Sequence, residues 1–142
     1  MSIELADHFN LDELAYTSNK EYKVQNIKEA KAHLTEMECL AFFAEQVRAI
    51  LNVPMIITSG YRCDALNKAV GGAKNSQHRF FRAIDFLPRY MSVDEAFSRI
   101  SMSNLVYKQL IKERADGKEW VHVSMGCGRE NLIYKDGKYT KL

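Results

Sequence analysis

The spacing of apolar residues changes period part-way along the chain, and this change limits the fold more than any other feature. Before Asn52, Met37, Leu40, Ala41, Ala44, Val47 and Leu51 recur at three and four, which predicts an amphipathic helix from about residue 36 to 51. Thr35-Glu36-Met37-Glu38 reads as its capping box, Asn52 as its end and Pro54 as a stop. After Pro54 the signal is of strands. Met55-Ile56-Ile57-Thr58 and Arg82 to Leu87 are short apolar runs, and Trp120 to Ser124 alternates cleanly. Leu132 to Tyr139 reads as a hairpin with Asp136-Gly137 as a type I′ turn. Ser92-Val93-Asp94-Glu95 caps one intervening helix whose apolar face is Ala96, Phe97 and Ile100. His8 to Tyr16 predicts a short helix capped by Asn10, residues 17–34 carry a weak helical signal around Ile27 to His33, and Leu105 to Ile111 fits a strand or a helix. Helices early and strands late predict an α+β fold with a mostly antiparallel sheet, not regular βαβ units.

At 142 residues the chain is expected to form a single domain, 1–142, with no linker or repeat. A content of 46% hydrophobic residues supports a packed core and excludes a disordered chain. The formal charge of +2 offers no electrostatic ground for nucleic-acid binding. No apolar run approaches the ~18 residues that span a bilayer, so no membrane partner is expected. Met1 to Asp7 lacks a basic segment followed by an apolar one, which predicts synthesis in the cytoplasm without a Sec signal. Cys39, Cys63 and Cys127 have no CxxC spacing and read as reduced thiols that pack as small hydrophobes.

Two of the four histidines stand out. His8 and His33 lie in polar or amphipathic helical stretches and read as ordinary surface or half-buried imidazoles. His122 lies mid-strand, opposite in facing to Val121 and Val123, so a sheet with its valines in the core points His122 into a cleft or solvent. His78 ends a Gly-containing polar loop, and Asp85 follows inside an apolar strand. A carboxylate among Ala83, Ile84, Phe86 and Leu87 needs a partner. A metal ion shared with His78 and His122 is one answer, because two His and one carboxylate with an open position make a catalytic zinc site. Main-chain amides bonding the Asp, beside two unrelated histidines, are the other.

The words around these residues carry a resemblance. Ser59-Gly60-Tyr61-Arg62, Leu66-Asn67, Val70-Gly71-Gly72, Ser76-Gln77-His78, Ala83-Ile84-Asp85 and Trp120-Val121-His122-Val123-Ser124 occur in this order. Together they resemble the M15 peptidases, the zinc D-Ala-D-Ala carboxypeptidase and L-alanyl-D-glutamate endopeptidase family, in its compact single-domain, phage-endolysin-like form. The resemblance runs from His8-Phe9 to about Ser124. It implies a hedgehog/DD-peptidase-like fold, an antiparallel sheet with helices packed on it and a zinc site in a surface groove. It implies Zn2+ held by His78, Asp85 and His122, with Glu119 as general base. Arg62 is implied to hold the substrate or its developing oxyanion, with Ser76 and Gln77 lining the site. The implied substrate is a peptidoglycan stem peptide, cut by a chain acting as a monomer. Because residues three apart on a strand face opposite sides, Glu119 is expected on the turn entering the strand, where Gly117-Lys118 permits a bend.

One position departs from the family pattern. Where the family carries Gly three residues after the first ligand, this chain has Phe81. If that turn needs a positive φ, Phe is strained there by about 1–2 kcal/mol. A rebuilt loop with Phe80 and Phe81 over the groove or on the core is the alternative, and either bears first on substrate choice. The departure also motivates a rival reading, a zinc-binding but non-catalytic recognition module for cell wall or protein on the same fold. A nucleophilic Cys63 or Cys127 has no motif behind it. Peptidoglycan lies outside the cytoplasm, so action on it requires release by phage lysis, delivery with a virion, or imported muropeptides.

Overall fold

The longest helix, α3 (Leu34–Leu51), lies where the three-and-four stripe predicts it, and every residue of that stripe is buried. The computed structural model describes residues 2–142. Helix α3 begins ahead of the expected start. Its N-cap is His33 and no side chain caps it, so the box read at Thr35 is not formed; Thr35 is already inside the helix. Asn52 ends it in the left-handed conformation, φ 55°, with its N–H donating to the Arg48 carbonyl at 2.7 Å. The reciprocal box is instead at α1 (Leu11–Leu14), where Asn10 and Glu13 each bond the other's backbone N–H. Helix α2 (Lys23–Lys31) starts before the weak signal at Ile27, and α4 (Asp64–Ala69) lies in a stretch that reads as plain polar loop. Only Leu66 and Asn67 of α4 are buried, too few to imprint a period. Helix α5 (Val93–Ser101) is capped by Ser92, whose Oγ accepts from the Glu95 amide at 3.0 Å.

Six strands form one sheet: β1 (Met55–Ser59), β2 (Ala83–Pro88), β3 (Gln109–Ala115), β4 (Lys118–Ser124), β5 (Glu130–Lys135) and β6 (Lys138–Lys141). Their order is β1-β2-β4-β3-β5-β6, antiparallel except where β3 meets β5 in parallel. The Leu105–Ile111 ambiguity resolves as strand, starting at Gln109 and running on to Ala115. One face, with Ile84, Phe86, Leu110, Val121 and Val123, joins the core that α3 and α5 cover. Burying such side chains contributes about 1.5–3 kcal/mol each. The other face holds Asp85 and His122. The fold is thus the expected α+β arrangement, with helices on one face of a mostly antiparallel sheet.

Two turns set the register that matters. Asp116-Gly117 (φ 52° and 74°) joins β3 to β4, and Asp136-Gly137 (φ 47° and 91°) joins β5 to β6, both in the positive-φ pair of a type I′ turn. The first places Ala115 opposite Lys118, Glu113 opposite Trp120 and Ile111 opposite His122. Across β3, Glu113 aligns with Tyr134 of β5, which aligns with Tyr139 of β6. One cross-strand row therefore reads Trp120, Glu113, Tyr134, Tyr139. The adjacent row reads Asp85, His122, Ile111, Leu132, Lys141. No helix among the described residues is long and apolar enough to cross a membrane.

Candidate metal centre

His78, Asp85 and His122 converge. One potential ligand atom from each lies within 4.8 Å of the others, and all three residues are buried. Asp85 and His122 are register partners on β2 and β4, so the sheet itself brings them together. His78 arrives from outside the sheet, on a 3₁₀ turn (Gln77–Phe80) capped by Ser76, whose Oγ accepts from the His78 amide at 3.3 Å. Asp85 Oδ1 lies 2.8 Å from His122 Nδ1 and 3.3 Å from His78 Nε2. The other His78 nitrogen, Nδ1, donates to the Gly60 carbonyl at 2.7 Å. A carbonyl can only accept, so the proton sits on Nδ1 and the Nε2 lone pair faces Asp85.

These contacts fit a cation. His78 Nε2 is buried without a hydrogen-bond partner, an arrangement that is costly unless something binds there. Burial would raise the Asp85 pKa, but the two histidines outweigh it and hold the carboxyl well below the usual range. Burial lowers the His78 pKa and keeps this imidazole neutral, as a ligand must be. For His122 burial pulls the same way, but the Asp85 contact and Glu113 overcome it and raise the pKa. The donor set of two imidazoles and one carboxylate is that of a catalytic zinc site with an open position. A family model described as Peptidase M15 matches residues 7–124. The chain belongs to the M15 peptidase family. No curated protein matches the sequence.

In this M15 peptidase Arg62 sits beside the triad. Nε donates to Ser59 Oγ at 3.0 Å, one Nη to Asn67 Oδ1 at 3.1 Å, and the other Nη is 3.7 Å from Asp85 Oδ2. Burial lowers its pKa, and Asp85 and Glu113 oppose that shift. The loop that carries Arg62 is tied down by Asn26, a fully buried side chain on α2. Asn26 donates to the Ala15 and Tyr61 carbonyls at 2.8 and 2.9 Å and accepts from the Cys63 amide at 2.7 Å. Gly60 packs against the Leu14 carbonyl so closely that a Cβ would collide with it. Ser76 and Gln77 line a cavity of about 530 Å³ over the triad, although among the described residues the Ser76 side chain bonds only as the turn cap.

Glu119 is not where the sequence reading expects it. The bend is at Asp116-Gly117, so β4 already starts at Lys118 and Glu119 is a regular strand residue opposite Arg114. It is exposed, alternates with His122, and lines a second cavity of about 850 Å³ beside Asp116 and Lys118. Its side chain forms no hydrogen bond or ion pair among the described residues. The acid beside the triad is Glu113. Its Oε1 is 3.9 Å from His122 Nδ1, and its carboxyl is pushed up to about 7, by burial first and then by Asp85, with His122 and Arg62 opposing. Trp120 Nε1, opposite Glu113 in the register, is buried without a partner. Glu113 was legible in one feature: a type I′ turn at Asp116-Gly117 pairs Glu113 with Trp120 and sets it diagonal to His122.

The Phe81 departure takes the strained form. Phe81 has φ 60° and ψ 35°, a left-handed residue closing the 3₁₀ turn. Its ring stays out of the groove. It stacks on Tyr61 at 4.2 Å with planes 1° apart and meets His33 at 5.2 Å. His78 keeps its place through its own bond to Gly60.

Proposed function

We propose that the chain is a zinc metallopeptidase that hydrolyses a peptide bond in peptidoglycan stem peptides. The observation that carries this reading is the meeting of His78 Nε2, Asp85 and His122 Nδ1 in a groove with Glu113 3.9 Å from His122. His78, Asp85 and His122 would hold the zinc, which when bound supplies Lewis-acid polarisation of the scissile carbonyl and acidification of water. Glu113 is assigned the base in place of Glu119. A carboxyl at this spot takes the proton of the attacking water and hands it to the leaving amine. Arg62, held by Ser59 and Asn67, offers a fixed guanidinium for the carbonyl oxygen as it gains charge, or for a substrate carboxylate.

The two cavities share Arg62, Asp85 and Trp120, so the groove continues to both sides of the triad. Room on both sides suits an endopeptidase, the L-alanyl-D-glutamate type, better than a carboxypeptidase whose site ends just past the scissile bond. The test compares Glu113→Gln with Glu119→Gln on purified muropeptides, with zinc content measured in parallel. Glu113→Gln is expected to lose about 10²–10⁴-fold in kcat with its zinc retained, the usual worth of a general base. Glu119→Gln is expected to stay close to the unaltered protein. The reverse pattern returns the base to Glu119, and a zinc-loaded chain that cleaves no muropeptide refutes the peptidase reading.

A further inference from the structure

The family match ends at Ser124, yet the groove does not. Tyr134 and Tyr139, both beyond that point, line the cavity over the triad. They extend the row that begins with Trp120 and Glu113, so the hairpin β5–β6 widens the site face of the sheet by two strands. The two rings lie 4.7 Å apart at 52°, and Tyr139 is 58% exposed. On the same face of β6, Lys141 stands two residues from Tyr139 and forms no ion pair among the described residues.

The hairpin is firmly attached, which a binding wall requires. Buried Tyr107 donates to Asn131 Oδ1 at 2.6 Å, and Gln109 Nε2 donates to Glu130 Oε1 at 2.7 Å. Arg129 lies over the Tyr107 ring at 4.5 Å and donates to the carbonyls of Leu105 and Ser101. Residues 125–142 carry four Lys or Arg against two Asp or Glu, so the whole formal +2 of the chain resides in this segment. Strand β6 buries nothing and so has no work in the core, and it leaves Tyr139 exposed beside the half-buried Tyr134.

We infer that β5–β6 is a glycan-binding arm: Tyr134 and Tyr139 form a platform for a pyranose ring of the peptidoglycan strand while the attached stem peptide crosses the triad. The inference rests on the peptidoglycan reading above. A stem peptide of small and acidic residues offers little flat apolar surface, whereas the C–H face of a sugar ring matches a tyrosine face and its hydroxyls meet the phenol edge. Lys141 supplies a cation for a carboxylate of the attached stem peptide.

The experiment is calorimetric titration, in chelator to prevent cleavage, with two probes: a GlcNAc-MurNAc tetrapeptide and the same tetrapeptide without sugar. The sugar-bearing probe is expected to bind the unaltered protein about three- to tenfold more tightly, the scale of one well-placed aromatic contact. That advantage is expected to vanish in Tyr139→Ala and to persist in Tyr139→Phe, which keeps the ring. Tyr139 is exposed, so neither change threatens the fold. An equal preference for both probes in the unaltered protein, or an advantage that survives Tyr139→Ala, overturns the arm. Failure of the zinc-loaded protein to cleave either probe, with the binding pattern intact, refutes the peptidase reading and leaves the arm standing.

Discussion

Phe81 is the residue at which two opposing free energies can be separated. Its backbone is left-handed, which costs a non-glycine residue about 1–2 kcal/mol. Its ring is partly buried and stacked on Tyr61 at 4.2 Å. A fully buried Phe→Ala change costs about 3–5 kcal/mol, so a half-buried ring is worth about 2–3, of which the stack supplies ~0.5–1.5. Phe81→Ala loses the ring and keeps the strain, so a destabilisation of about 2–3 kcal/mol is expected. Phe81→Gly also loses the ring but relieves the strain; after the greater freedom of glycine in the unfolded chain is set against this, it should recover about 1 kcal/mol relative to Ala. The expected order is Phe, then Gly, then Ala. Urea unfolding followed by circular dichroism, in chelator so that metal binding adds nothing, measures it. An alanine variant as stable as the glycine variant would refute the strain argument, and a glycine variant above the unaltered protein would refute the value given to the stack.

Further outcomes follow from the groups that shape the site. Asn26→Ala strands two carbonyls and an amide that Asn26 now satisfies, so a loss of about 2–4 kcal/mol in urea unfolding is expected. A stability near that of the unaltered protein would show that water replaces the side chain. Gly60→Ala drives a methyl into the Leu14 carbonyl and displaces the acceptor of His78 Nδ1, so zinc affinity should fall about 10–100-fold in competition with a chromogenic chelator. His122→Ala should abolish stoichiometric zinc by elemental analysis, while Glu119→Ala should leave it at one per chain. Burial pushes the Tyr61 phenol up to about 12 from 10.0. The unfolded chain then loses this proton first, so the contribution of Tyr61 to stability is intact below pH 10 and declines as pH rises from 10 to 12. Burial and Glu113 also raise Tyr139, so absorbance titration should show a late phenolate fraction that Tyr61→Phe reduces without abolishing.

Much of the site was legible before any coordinates. The helix over α3, the strand Trp120–Ser124 and the residue types at 78, 85 and 122 are set by local patterns, because amphipathic period and the cost of a charge in an apolar strand act over a few residues. The hairpin at Asp136-Gly137 was equally plain, since that dipeptide selects its own turn. The base was not. Glu119 lies near His122 in sequence but alternates away from it, whereas Glu113 lies far along the chain and is carried beside His122 by the β3–β4 register. Asn26 gave no local signal either, for its three partners lie at Ala15, just past α1, and on the loop before α4.

The sequence by itself determined the kinds of side chain able to bind a metal and the strands that bear Asp85 and His122, because periodicity, caps and turns are short-range properties of the chain. Only the tertiary structure decided which carboxylate stands beside His78, Asp85 and His122 and that the β5–β6 hairpin lengthens the groove. Both depend on which strands pair and in what register, and pairing joins residues whose separation along the backbone says nothing of their distance in space.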